Sequence, residues 1–203
     1  MNRKPLQWIF HNTCGLLFAR IKDNYYSRVL RSKKVRQKFL LPTPFYKSQI
    51  HNDKYWSERS CGIACVHMVL STVLGKSFDR PISKLIDEGL SFKGYDVEKD
   101  LGWYHKALVK LSVKYGLKAK QRKFLLSSEL AVELLKHNYV VASMESIHDG
   151  HLILIYGFKM NGRLDGFFYH DPYNKKQKGE AKFMKKQDFE KKFTRRVIIF
   201  SAE

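Results

Sequence analysis

The sequence predicts one α+β domain, with an N-terminal helical part packed on a C-terminal antiparallel sheet. Two observations carry this expectation. Helix start and stop signals recur between residues 60 and 137, and short runs rich in Val, Ile, Phe and Tyr, bounded by Asn, Gly, Asp and Pro, follow them. Helices first and strands afterwards indicate an α+β arrangement rather than an alternating parallel sheet. Length sets the scale: 203 residues can enclose one sizeable core, but not two ordinary domains with linkers.

The elements follow in order. Over residues 6–40, Phe18, Ile21, Tyr25 and Val29 recur at helical spacing with Arg and Lys between them, which predicts a basic amphipathic helix or pair of helices. Such a segment is either a membrane-surface or partner-binding arm or, the plainer expectation, a helix packed on the domain with its charged side in water. Leu41-Pro42-Thr43-Pro44 breaks it, because each proline forces its predecessor into an extended conformation. The boundary is therefore set there, between a basic extension at 1–44 and a domain at 45–203. Ser60 is placed to N-cap a helix over 61–74 that Gly75 stops. Further helices are expected at 81–88, at 101–115 before Gly116, and at 127–137. Strands are expected at 139–144, 151–158, 166–170 and 196–200.

Composition narrows the function classes. A hydrophobic content of 44%, with 14% aromatic residues, excludes disorder, and no run has the 18 or so uncharged apolar residues of a membrane span. The net charge of +19 is unevenly distributed: residues 1–48 hold eleven Lys/Arg against the single Asp23, a net of +10, and a second Lys-rich run covers 175–192. Such surfaces attract anionic partners or simply keep a protein dispersed. Nucleic acid is disfavoured, since neither zinc-finger spacing nor an aromatic RNA-binding signature accompanies the charge. Three cysteines, Cys14, Cys61 and Cys65, make no disulfide framework. The apolar patch of Leu6, Trp8, Ile9 and Phe10 is interrupted by polar residues and leads to no cleavage site. The expected location is the cytoplasm, with peripheral membrane association left open.

Ser60-Cys61-Gly62-Ile63-Ala64-Cys65 sets a thiol at a helix start, where unpaired N–H groups and the macrodipole favour the thiolate. Gly62 is expected to leave room for a substrate backbone, and Cys65, one turn on, to be a small core residue. Gly150-His151 opens an apolar strand, so that the imidazole can emerge at the sheet rim and accept the thiol proton. Asn161-Gly162 signals a hairpin. A three-residue loop would set His151 opposite Asp171, a two-residue loop would shift the register by one, and Pro172 ends the returning strand. Asp171 would then fix the ring's tautomer, completing the order Cys, His, Asp. His148 and Asp149 are alternatives to their neighbours. His170 alternates to the wrong side, and His67 shares the Cys61 helix but points away. Cys61 and Cys65 with two histidines could instead ligate zinc, although no second pair at ligand spacing supports that.

These residues resemble a known family. Cys61-Gly62-Ile63-Ala64-Cys65 with Met68-Val69-Leu70, Gly150-His151 with Gly157-Phe158, Asp171-Pro172, and Gly102-Trp103-Tyr104-His105 are together similar to the bacteriocin-processing cysteine peptidases that cleave after double-glycine leaders. The likeness covers residues 45–200 and is greater to the stand-alone forms without a transporter. It implies a papain-like fold, a peptide or protein substrate and no cofactor. By this resemblance Cys61 is nucleophile, His151 base and Asp171 orienter, and Gln49 donates a hydrogen bond to the oxyanion across a longer spacing than is usual. The segment between Gln49 and Cys61, carrying Tyr55 and Trp56, must then loop out. Any transporter would be a separate partner. A binding module with a noncatalytic site, and an acyl or amide transferase on the same triad, are the rival functions.

Overall fold

The computed structural model describes residues 6–33, 37–50, 53–75, 78–100, 102–123, 126–145, 150–173 and 179–201, with side chains from Phe18 onward. The Cys14 side chain, His148, Asp149 and part of the 175–192 Lys run lie outside the described residues. In chain order the elements are α1 (Leu6–Ser32), β1 (Lys38–Leu40), α2 (Lys54–Ser57), α3 (Cys61–Leu74), α4 (Ile82–Ser91), α5 (His105–Lys114), β2 (Lys118–Lys123), α6 (Ser127–Leu135), β3 (Asn138–Met144), β4 (His151–Asn161), β5 (Arg163–His170), β6 (Lys182–Lys185), α7 (Lys186–Lys192) and β7 (Phe193–Ser201). Among the described residues no helix is long and apolar enough to cross a membrane.

The strands form one antiparallel sheet in the order β2-β7-β3-β4-β5-β6, and β1 pairs with β4. β4 is its spine. It pairs with β3 over its first residues and with β1 beyond them, through Gly157↔Leu40. A side chain at Gly157 would collide with Leu40 and the Phe39 carbonyl, so glycine is what admits β1 there. Leu154, Ile155 and Phe158 are fully buried, as are Ile63 to Val66 and Met68 to Leu70 of α3, which lies between β4 and the helices α4 and α5. A helix buried nearly all round explains why the apolar stretch from Ile63 to Leu70 lacks a polar stripe.

Several expectations change. The helix over 6–40 is shorter, ending at Ser32, and residues 38–40 join the sheet. Beyond them Leu41 is buried and the Tyr139 hydroxyl donates to the Pro42 carbonyl at 2.7 Å. β1, β2 and β6 were not expected. Four of the six residues of β2 are Lys or Arg and two of the four of β6 are Lys, so neither shows an apolar alternation. Both are edge strands, where lysine discourages further pairing and removes the usual strand signal. Gly62 does not face substrate. A Cβ there would lie 2.8 Å from Leu108 and 3.0 Å from Leu152, so glycine lets α3 approach the core closely.

Candidate active site

Cys61 is the first residue of α3 and is half-buried. Ser60 occupies the N-cap position, but its hydroxyl makes no capping bond and donates instead to the Gln49 carbonyl at 3.3 Å. The amides of the first turn are therefore not claimed by a cap, and the macrodipole is directed at the sulfur. The short stretch that delivers Cys61 is held on its other side by Arg59. That guanidinium grips Asp100 through Nε at 2.9 Å and Nη2 at 2.7 Å. The Arg59 carbonyl accepts from Trp103 Nε1 at 3.0 Å. Trp103, from the Gly102–His105 segment, thereby fixes the approach to the thiol.

His151 opens β4, directly after Gly150, whose φ of 94° lies in the region that glycine adopts without strain. Its Nε2 donates to Asp171 Oδ1 at 2.7 Å, which leaves Nδ1 for the sulfur. The Cys61 thiol is the ring's second hydrogen-bond partner. Burial acts most strongly on this imidazole and disfavours its charge, but the bonds to Asp171 and Cys61 and their negative charges outweigh it and raise the ring to about 10. Burial likewise opposes ionisation of Asp171. The His151 bond and charge, the Tyr173 amide at 3.0 Å and Lys182 at 4.0 Å prevail, holding it below the usual carboxylate range.

The route to this contact differs from both expected registers. The tip pairs Asn161 with Arg163 directly around Gly162, and the two irregularities in β4–β5 offset each other, so the tip sets the register Leu154↔His170 near the site. Asp171 therefore follows two positions out of step with His151 and meets it on a diagonal rather than directly opposite, still within side-chain reach. The backbone of Asp171 is clamped as well: its N–H donates to the Gly179 carbonyl at 2.8 Å and its carbonyl accepts from the Tyr46 hydroxyl at 3.0 Å.

Gln49 is 1% exposed, and its Nε2 donates to the Ser57 carbonyl at 2.8 Å. Its Oε1 is buried and has no hydrogen-bond partner among the described residues. The segment between it and Cys61 forms α2, whose Trp56 packs on Tyr95 and Trp103. Gln49, His151 and Asp171 line one cleft of about 1040 Å³ with Glu58, Tyr95 and Lys182. Sequence reasoning missed Tyr173, whose ring stands edge-on to His151 with centroids 6.5 Å apart and whose hydroxyl hydrogen-bonds Glu58. Its position just past Asp171-Pro172 was the available signal.

The other candidates are accounted for. Cys65 is fully buried, its thiol donates to the Leu152 carbonyl at 3.5 Å, and burial pushes it well up. His67 is bonded to the Arg80 carbonyl at 2.9 Å. His170 is a core residue, donating from Nε2 to Pro44 O and accepting from the Ala181 amide at Nδ1, both at 2.9 Å. No group of three or more His, Cys, Asp or Glu suited to a metal occurs among the described residues.

Solved structures of similar fold include a putative C39-like peptidase from Bacillus anthracis, with TM-score 0.60 and 15% identity over 80% of this chain and 96% of that one. The peptidase domain of Streptococcus ComA, a bi-functional ABC transporter of a quorum sensing pathway, gives 0.55 and 18% over 78% and 100%. A double glycine motif protease from the AMS/PCAT transporter, in complex with the leader peptide, gives 0.50 and 21% over 81% and 96%. At such identities the likeness speaks for the fold, which is the papain-like arrangement of helices and antiparallel sheet. No curated protein matches the sequence. Residues 43–197 match the model of the Peptidase_C39 like family, and with three-quarters of its length in that match the chain belongs to that family.

Proposed function

We propose that the chain is a thiol peptidase, with Cys61 as nucleophile, His151 as base and then acid, Asp171 as the group that orients the ring, and Gln49 as a donor to the oxyanion. The observation that carries this reading is the continuous line of contacts from the start of α3 through the His151 ring to Asp171, beside an open cleft. A ring that stays charged next to the sulfur favours the anionic nucleophile. The sulfur attacks the peptide carbonyl carbon, and the ring proton passes to the leaving amine as the C–N bond breaks. His151 then takes a proton from water, whose oxygen attacks the thioester. The C–S bond then breaks with its electron pair passing to sulfur, the peptide departs with a free carboxylate, and Cys61 recovers its proton-sharing contact with the ring.

Burying an amide oxygen without a partner costs about 1–3 kcal/mol, so Gln49 is held beside the cleft at the expense of stability. One Nε2 hydrogen is committed to Ser57, and the other is available to a developing oxyanion, together with the Cys61 amide. Gln49→Ala is expected to lower kcat by about 10²–10³-fold with little change in KM, as measured by steady-state kinetics.

The raised His151 value sets a pH dependence. A ring held above its ordinary value stabilises the fold fully below about 6.5, and that contribution fades as pH rises through about 10. The lowered Asp171 carboxyl works at the other end: its contribution is present above about 3.8 and is lost on further acidification. Urea midpoints at pH 6 and pH 10 should differ more for the wild type than for His151→Gln, which has no ring to titrate.

The substrate class we infer is an extended leader-type peptide. The cleft walls carry both Glu58 and Lys182, so extended shape rather than acidity is the expected recognition feature. Incubating the full chain with a peptide library and reading the products by mass spectrometry tests the reading. New free carboxylates that vanish after iodoacetamide treatment are expected, and their absence at every sequence would contradict it. Products joined to another amine would indicate transfer instead of hydrolysis.

A further inference from the structure

We infer that the outward face of α1 docks on the surface of an anionic lipid bilayer, a property independent of the peptidase reading. The helix has two working sides. Its inner side is fastened to the domain: Leu30 is 1% exposed, the Ser128 hydroxyl donates to Asp23 at 2.5 Å, and Lys22 pairs with the buried Glu129 carboxylate at 2.8 Å. Tyr26 and Val29 pack against the core from the same helix. These contacts fix which face turns outward.

That outer face is apolar where a solvated helix would be polar. Phe18, Ile21 and Tyr25 are 67%, 58% and 61% exposed. At about 100° per residue these three positions fall within roughly 60° of the helix circumference. Arg28, also exposed, borders the stripe, and the exposed Arg31 and Arg20 lie roughly 80–100° further round on the same open side. Asp23, the single acid of residues 1–48, is turned inward to Ser128, so the outer face carries cations with no anion among them. The plainer expectation, a charged side in water over a packed apolar side, holds only in part: of the apolar spacing read from the sequence Val29 packs on the core, while Phe18, Ile21 and Tyr25 are exposed.

An apolar stripe with arginines along its solvent side suits the boundary between headgroups and acyl chains. Rings and an Ile side chain enter shallowly while guanidinium groups reach phosphates and carboxylates above them. A three-residue stripe is narrow for the apolar centre of a stable protein interface, which spans some 20–30 residues a side. The helix contributes area and the net charge of +10 over residues 1–48 contributes attraction to anionic lipid.

Sedimentation of the full chain with vesicles tests this. Vesicles of phosphatidylcholine carrying about a third phosphatidylserine should bind at least about tenfold more tightly than phosphatidylcholine alone, and binding should weaken at high salt. The combined variant Phe18→Ser, Ile21→Ser, Tyr25→Ser and the combined variant Arg20→Gln, Arg28→Gln, Arg31→Gln should each lose most of that binding. Both should keep the wild-type melting temperature and thiol reactivity, since the altered side chains are exposed. Equal binding to both vesicle types, no binding to either, or wild-type binding by the serine variant overturns the inference. So does self-association in solution that the serine variant abolishes without any vesicle binding, which would assign the face to a second copy of the chain.

Discussion

Cys61→Ala is expected to abolish peptide cleavage, leaving less than about one part in 10⁴ of the wild-type rate, while the protein stays folded. The two halves of this expectation have separate physical grounds. Without the sulfur there is no covalent intermediate, and neither the oxyanion donors nor the cleft can replace a nucleophile. The fold survives because Cys61 is half-buried at a helix end, and the large side chains that hold α3 in place begin at Ile63. A melting temperature within a few degrees of wild type, beside absent cleavage, is the outcome expected from a purely chemical defect. Cleavage retained by a folded Cys61→Ala protein would remove Cys61 from the mechanism.

The second large effect belongs to His151. His151→Ala should lower cleavage by about 10³–10⁴-fold, because the proton acceptor and the charge beside the sulfur are lost together. It also leaves the Asp171 carboxylate, held partly buried by its backbone clamp, without its shortest contact. A stability loss of about 1–3 kcal/mol at neutral pH follows. His151→Gln separates the two effects: its amide can still donate to Asp171 and recover part of the stability, but it cannot relay the proton, so cleavage should remain lost. Kinetics and urea denaturation on both variants distinguish them. If Gln restored cleavage together with stability, His151 would be a structural residue.

Much of this arrangement was legible from local signals. A cysteine at a helix start, a Gly-His pair at the head of an apolar strand and an Asp-Pro at the end of the next strand each have a simple physical meaning; His151 contacts both Cys61 and Asp171, and His151 and Asp171 line the cleft. The register between the strands was not legible. It is set at the tip, where Asn161 pairs with Arg163 around the single residue Gly162, while the irregularities between Ile155 and Gly157 and between Lys159 and Met160 offset each other. The edge strands β2 and β6 were hidden for a related reason, since their lysines answer to solvent and to the need to stop further pairing rather than to a core. Gly62 was misread because a glycine beside a reactive residue has two uses, and only the positions of Leu108 and Leu152 choose between them. Gln49 could be assigned through the family resemblance alone. Its link to Ser57 crosses a short helix that no periodicity of so few residues announces.

The most direct test of the account compares alkylation of the cysteines by iodoacetamide near neutral pH, residue by residue, in the wild type and in His151→Ala. The account predicts that Cys61 reacts at least about 100-fold faster than the buried Cys65, and that most of this advantage disappears in the variant. Equal labelling of Cys61 with and without the imidazole would contradict it, because the sulfur would then owe nothing to the ring beside it.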